Sequence, residues 1–435
     1  MKIAHIYQES NIKFSEPQAA QLHIYHTIHG LQQAGHQVSL LALQGRQVLH
    51  TEDLEVFKSD KRLVSHYGQL GLSGTALFKG FESGVRRLQS ELHLPYLALF
   101  DSYRTAEAGY KNLKGFDLIH ERFNLLALGG AWASRKLGIP FVLEVNADLL
   151  EQRKFKGVPE KGIRRLFAVW ATQMCFNAAS KIICISGSLK NHLSKRWNLE
   201  NDKLTVLPCA ADVDAFVPKQ NGELVRQDLG LTNDPVILWL GGFYPWHDLD
   251  LLLDSFTLIR QRQPNTKLVL VGDGQTRQAI VRKIQKNGIE QSVIMTGSIP
   301  HSRVPEMVSI ADVAVVPSAP VSASHGGTGT PLKLFEYMAA GKAIVATALN
   351  EAVEVIQDGQ NGLLVEAGDV NKFAESTLKL INNPKERNRL GQNARAQAVK
   401  QYSWEHYTKR LEEIYQGVVG NAPSGSPIAD VSGST

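Results

Sequence analysis

Twice along this chain, short apolar runs bounded by turn residues alternate with stretches patterned like amphipathic helices. The first series opens with Lys2-Ile3-Ala4-His5-Ile6-Tyr7 and a polar loop. A helix over about 17–33 follows, closed by Gly35-His36, and then a strand over 37–43. Further runs fall at 118–120, 141–145, 181–185 and 205–207. The second series begins at Val236-Ile237-Leu238-Trp239-Leu240 and continues at 267–271, 293–296, 313–316, 343–346 and 363–365. A strand covered on both faces reads as a continuous apolar run, and strand–helix–strand order requires crossovers, so each series predicts a parallel sheet. The expected class is α/β, with two doubly wound, Rossmann-like domains facing a cleft.

The length of 435 residues suits two cores of roughly 200 residues each. The first domain is expected over 1–211 and the second over 235–400. The polar segment 212–234, with Pro218 and Asn221-Gly222, is the expected linker. A terminal helix over 401–419 is expected to cross back onto the first domain. The Gly-, Ser- and Pro-rich stretch 420–435 is expected to be disordered.

Composition narrows the function. A net charge of +5 is too mild to predict a nucleic-acid partner, and no run has the length of a membrane span or signal peptide. Cys175, Cys184 and Cys209 have no CxxC spacing and read as buried thiols, so a soluble, cytoplasmic protein is expected.

The segment with most chemistry runs from Gly326-Gly327-Thr328-Gly329-Thr330 into Pro331-Leu332-Lys333-Leu334-Phe335-Glu336-Tyr337-Met338-Ala339-Ala340-Gly341. Thr330 suits an N-cap, Pro331 the first helical position and Gly341 the residue past the end. Free N–H groups and the helix dipole at such a start attract a diphosphate. Lys333 and Glu336, three apart, share a helix face and supply a cation for phosphate and an acceptor for sugar hydroxyls. A capped helix with a surface ion pair is the plainer alternative.

With Gly341-Lys342-Ala343-Ile344-Val345-Ala346, this segment resembles the donor helix of glycosyltransferase family 4, the group 1 transferases. The likeness extends over about 1–415, through Gly35-His36-Gln37-Val38, Cys184-Ile185-Ser186, Leu270-Val271-Gly272-Asp273-Gly274 and Ala311-Asp312-Val313-Ala314-Val315-Val316-Pro317-Ser318. The resemblance implies a retaining, metal-independent enzyme of the GT-B fold. It also implies a UDP- or GDP-linked sugar as co-substrate, with no other cofactor, and a glycan or glycolipid acceptor in cell-envelope polysaccharide synthesis. Donor contacts are implied at Gly241, Gly242, Gly272 and Ile299, at the glycine-rich loop 326–330, and at Lys333 and Glu336.

Two departures stand out. Thr328 occupies the place of the family's first glutamate, eight before Glu336, and Gly242 and His247 occupy those of its diphosphate-binding Arg and Lys. His247 and Lys333 are therefore expected to share the phosphate charge, His247 as a cation favoured by the phosphate. The two Asp-x-Asp sequences, Asp212-Val213-Asp214 and Asp248-Leu249-Asp250, are expected to be structural and not metal ligands.

On the acceptor side, strand ends are where open α/β sheets place ligands. His120-Glu121-Arg122 ends one strand, Glu144-Val145-Asn146 the next, and Ala19 and His23 open the first helix. All are acceptor candidates, with Arg122, His247 and Lys333 as catalytic candidates. An internal salt bridge of Arg122 with Glu121 or Glu144 is the structural alternative, as is packing for His23 and His26. The basic run Arg153, Lys154, Lys156, Lys161, Arg164 and Arg165 can meet an anionic membrane at its inner face. A non-catalytic sugar- or nucleotide-binding module and a nucleotide-sugar epimerase remain the rival functions. A dinucleotide oxidoreductase is disfavoured because Gln8-Glu9-Ser10-Asn11 stands where G-x-G-x-x-G belongs.

Overall fold

The computed structural model describes residues 1–9, 19–57, 66–94, 96–218, 222–319, 332–349 and 351–420. The first sheet comprises β1 (Lys2–Tyr7), β2 (Gln37–Gln44), β3 (Gln47–Thr51), β4 (Leu118–Arg122), β5 (Phe141–Val145), β6 (Lys181–Cys184) and β7 (Leu204–Val206). Its order is β3-β2-β1-β4-β5-β6-β7, all parallel except β3 against β2. The second comprises β8 (Val236–Leu240), β9 (Lys267–Val271), β10 (Val293–Gly297), β11 (Val313–Val316), β12 (Ala343–Thr347) and β13 (Leu363–Val365). Its order is β10-β9-β8-β11-β12-β13, parallel throughout. Only β3, an antiparallel edge strand reached through the Gly45-Arg46 turn, is absent from the sequence reading.

In each sheet the strand order reverses once, between β1 and β4 and between β8 and β11. Ligands of open α/β sheets bind beyond the strand ends at such points. The fold therefore singles out the residues after Tyr7 and Arg122 in one domain, and after Leu240 and Val316 in the other.

Alternation along each strand sorts side chains onto opposite faces. Ile3, Tyr7, Leu118 and Val142 point to the face covered by the helices Ala19–Gln33 and Trp404–Gly420. Ile6, Ile119, Phe141 and Leu143 point to the other. The terminal helix thus packs on the first sheet. Ala211 N–H, at the domain join, donates to the carbonyl of Tyr402 just before that helix. In the linker Asp212 Oδ1 accepts the N–H groups of Asp214 (3.1 Å) and Ala215 (2.9 Å), and a short helix, Glu223–Asp228, follows. Residues 421–435 of the expected tail lie outside the described residues.

Candidate active site in the interdomain cleft

The donor half is assembled around Lys333, on the helix Leu332–Ala339. The whole side chain is buried, and its Nζ lies 4.3 Å from the centre of the Trp239 ring of β8. No hydrogen-bond partner for Nζ occurs among the described residues. Burial, only partly countered by Glu336, pushes the Lys333 pKa down to about 7. The loops above make room for this cation. Gly241, at φ 146°, would place a Cβ 2.8 Å from Lys333 Nζ. Gly272, at φ 130°, would place one 1.9 Å from the Gly241 carbonyl oxygen, so neither position admits a side chain without movement.

Glu336, one turn on, is buried too and accepts from His301 Nε2 at 3.0 Å. Ile299, two residues before His301, is half-buried against the core. Gly242 closes beneath the Tyr244 ring, where a Cβ would lie 2.5 Å from a ring carbon. The loop residues Gly326, Gly327, Thr328, Gly329 and Thr330, with Pro331, lie outside the described residues.

His247 sits against the same β8 tryptophan as Lys333. Its ring stands edge-on to Trp239, centroids 5.6 Å apart, and burial together with the nearby Lys333 ammonium drives its pKa well below the usual histidine value. Positive charge on the described side of the pocket rests on Lys333. Asp248 caps its own helix through Leu251 N–H (3.2 Å), and Asp250 pairs with Lys283 (3.2 Å).

On the acceptor side, the buried carboxylate of Glu144 gathers several of the expected residues. Arg122 Nη1 lies 3.2 Å from Oε1, and Asn146 Nδ2 donates to Oε1 at 2.7 Å. His23 and His120 approach it at 3.6 and 3.4 Å. Burial alone would raise this carboxyl. The His23, His120 and Arg122 contacts more than offset it and hold Glu144 well below the ordinary carboxylate range. Burial holds His23 at about 4, so at neutral pH it meets Glu144 uncharged, whereas Arg122 meets it as a cation. Of these side chains only Arg122 and Asn146 are part-exposed; His23, His120 and Glu144 lie beneath them. His120 stacks on His5 (4.8 Å) and hydrogen-bonds through Nδ1 to the Tyr415 hydroxyl of the terminal helix. His26 stacks on Trp404 (4.8 Å), outside this cluster. Ala19 opens the first helix at the same strand ends.

Glu121 does not join them. One residue from His120 on the same strand, it points to the opposite face, under the helix Gly129–Leu137, where a Cβ on Gly130 would fall 2.0 Å from its Oε2. Burial raises its pKa to about 8, against a lowering by the Gly130 N–H, so the acid is protonated at neutral pH. A carboxyl whose folded pKa lies above its unfolded one loses stability as pH rises from the unfolded value to the folded one. Glu121→Gln is therefore expected to melt close to wild type at about pH 5 and to gain on the order of a few kcal/mol by about pH 9. Thermal melts of both proteins across that range check it; parallel curves would remove the buried-acid assignment.

The two halves touch across the cleft. Lys156 Nζ of the first domain lies over the Tyr244 ring (5.3 Å) of the second, and Glu354 of the second accepts the N–H groups of Gly187 (2.8 Å) and Ser188 (2.9 Å) of the first. Trp239, His301, His5 and Tyr415 are the site residues that sequence reasoning missed. Trp239 and His5 lay in apolar runs, His301 just after a strand and Tyr415 in the terminal helix, positions shared by many core residues.

Comparison with known proteins agrees with this architecture. The family model for Glycosyltransferase Family 4 matches residues 20–215, and that for Glycosyl transferases group 1 matches 222–397. An uncharacterized glycosyltransferase of Methanocaldococcus jannaschii is 28% identical over 306 residues, 70% of this chain and 76% of that one. A GDP-mannose-dependent alpha-(1-6)-phosphatidylinositol monomannoside mannosyltransferase of Mycolicibacterium smegmatis is 28% identical over 212 residues, 48% of this chain and 56% of that one. The crystal structure of HepE from Anabaena in complex with UDP-glucose superposes with a TM-score of 0.68 at 19% identity, covering 96% of this chain and all of that one. With one model on each domain and two Rossmann-like sheets facing a cleft, the chain belongs to the group 1 glycosyltransferases, family 4 type, and has the GT-B fold.

Proposed function

We propose that this glycosyltransferase moves a sugar from a UDP- or GDP-sugar to an acceptor hydroxyl with retention, without a metal ion, in the assembly of a cell-envelope glycan at the inner face of a membrane. The observation that carries the reading is Lys333, a buried ammonium with no described hydrogen-bond partner, beneath loops that only glycine fits. Burying a cation is costly unless an anion meets it, and a diphosphate at the neighbouring helix start supplies one. Glu336, oriented by His301, is placed to accept hydroxyl hydrogens from the donor. In the transfer the bond from the anomeric carbon to the diphosphate oxygen breaks, and the acceptor oxygen bonds on the same face. The acceptor's proton passes to the departing phosphate. The protein positions the reactants and stabilises the developing diphosphate charge. Support for metal independence comes from the Asp-x-Asp carboxylates, which cap turns and pair with lysine. Support for a lipid-linked product comes from the mannosyltransferase relative, whose acceptor is a phosphatidylinositol mannoside.

A thermal-shift panel of nucleoside diphosphates tests the reading. UDP or GDP is expected to raise the melting temperature in wild type, and Glu336→Ala is expected to lower turnover roughly a hundredfold. Full turnover in that variant, or no protection by either nucleotide, would sink the assignment of the pocket. Protection without any donor hydrolysis or transfer would make the protein a binding module.

A further inference from the structure

Exposed apolar side chains gather on one wall of the first domain. The helix Gly162–Ala178 buries Ala168, Ala171 and Cys175 against the domain, yet turns Ile163, Leu166 and Trp170 outward, 63%, 72% and 47% exposed. Their spacing of three and four residues makes a stripe along one face. Lys161 and Arg165 lie exposed beside it, and the helix has no acidic residue. The stripe continues beyond the helix. Arg164 Nη1 donates to the Tyr96 carbonyl at 2.7 Å, which ties the helix to the facing ends of the helices Ala76–Glu91 and Leu99–Asn112, where Leu92 and Leu99 are exposed.

Charge on this wall leans positive. Among its acids, Glu82, Asp101 and Glu160 are buried in pairs: Arg104 lies 2.6 Å from Glu82, Arg86 3.1 Å from Asp101, and Arg153 and Arg164 each 2.6 Å from Glu160; Glu91, beside Leu92, is exposed and paired with Arg87 at 2.9 Å. Negative charge is thereby buried or paired, while Lys161 and Arg165 stay exposed. An apolar stripe flanked by exposed cations suits a lipid surface bearing negative headgroups. The same segment runs from Lys161 back to Lys156, whose amine lies over Tyr244 and Trp246 at the cleft. The wall therefore leads directly into the site.

We propose that this wall seats the protein on an anionic bilayer and that the acceptor is lipid-linked, its headgroup entering the cleft past Lys156 while its chains stay in the membrane. The inference rests on the reading of the cleft as the transfer site. It is tested with the full chain and vesicles of phosphatidylcholine, alone or mixed with phosphatidylglycerol. Wild type is expected to sediment with the mixed vesicles only, less so at high salt. The double variant Leu166→Ser, Trp170→Ser and the single variant Arg165→Glu are each expected to lose roughly tenfold or more of that partitioning. Both variants should keep nucleotide protection and donor hydrolysis, so a failure here is distinguishable from a failure of the transferase reading. Wild type left in the supernatant of both vesicle types, or variants sedimenting like wild type, would overturn the proposal. So would a wild-type dimer that the double variant turns into a monomer, because the wall would then be a contact between copies of this chain.

Discussion

Lys333→Met is expected to remove most turnover and at the same time make the protein harder to melt. The loss of rate follows from deleting the one described cation in the pocket; removing a single preorganised charge-stabilising group costs about 10²–10³ in kcat. The gain in stability follows from burial. An ammonium above Trp239 with no described hydrogen-bond partner is held at a pKa of about 7, whereas in the unfolded chain it titrates near 10.5. Below about pH 7 both states carry the proton and the folded state bears the full cost of the buried charge, on the order of a few kcal/mol. From there to the unfolded value the unfolded chain binds more protons, so wild-type stability rises with pH. The advantage of Lys333→Met should therefore be widest at and below neutrality and shrink toward pH 10. Nucleotide affinity carries the same signature: in wild type it should weaken as pH rises through about 7, because the diphosphate meets the charged form. Melting curves and nucleotide titrations across this range decide the matter. A variant that melts below wild type at pH 7, or that still binds UDP or GDP as wild type does, would show that Lys333 is not an unpaired cation waiting for phosphate.

Much of this arrangement could be read before any coordinates. Apolar runs such as Val236-Ile237-Leu238-Trp239-Leu240 locate strands because a parallel strand is covered on both faces, so its whole length must be apolar. β3 escaped because an edge strand of five residues, half of it polar, carries no such constraint. The Lys333–Glu336 spacing fixed their common helix face, but not what lies against it. Trp239 and His301 come from other elements, and only the packed sheet brings them to that helix. The acceptor side shows the limit most sharply. His120, Glu121 and Arg122 are consecutive, all polar and all near a strand end, so composition treats them alike. The pleat does not: it sends His120 and Arg122 toward Glu144 and sends Glu121 under the Gly129–Leu137 helix. Which set faces the cleft depends on which face the terminal helix covers, a long-range fact with no local signature. The surroundings of His247 were equally hidden, since its burial and the neighbouring lysine appear only once the loop is folded.

Glu144→Ala is expected to be the most destabilising of the substitutions considered, by about 3–5 kcal/mol, the usual result of stripping one partner from a buried ion pair. Its carboxylate is the common acceptor for Arg122 and Asn146, and it lies under the two groups that reach the cleft. Without it, Arg122 keeps a part-buried charge with no described ion-pair partner, and Asn146 loses its described acceptor. A fall in melting temperature of roughly 5–15 °C should follow. Glu144→Gln separates charge from shape. It retains an oxygen for Arg122 and Asn146, so it should fall between Ala and wild type at neutral pH. Because the folded pKa of Glu144 is depressed, its ionised form contributes stability above the ordinary carboxylate range and loses it as pH drops toward the folded value. The gap between wild type and Glu144→Gln should accordingly close on acidification, while the gap to Glu144→Ala keeps a part that does not titrate. In assays with acceptor, both variants should raise the acceptor KM more than they change donor hydrolysis, since the donor pocket around Lys333 is built in the other domain. If Gln and Ala melt alike within about 1 kcal/mol of wild type, the carboxylate does not organise that side of the cleft, and Arg122 must be held by something else.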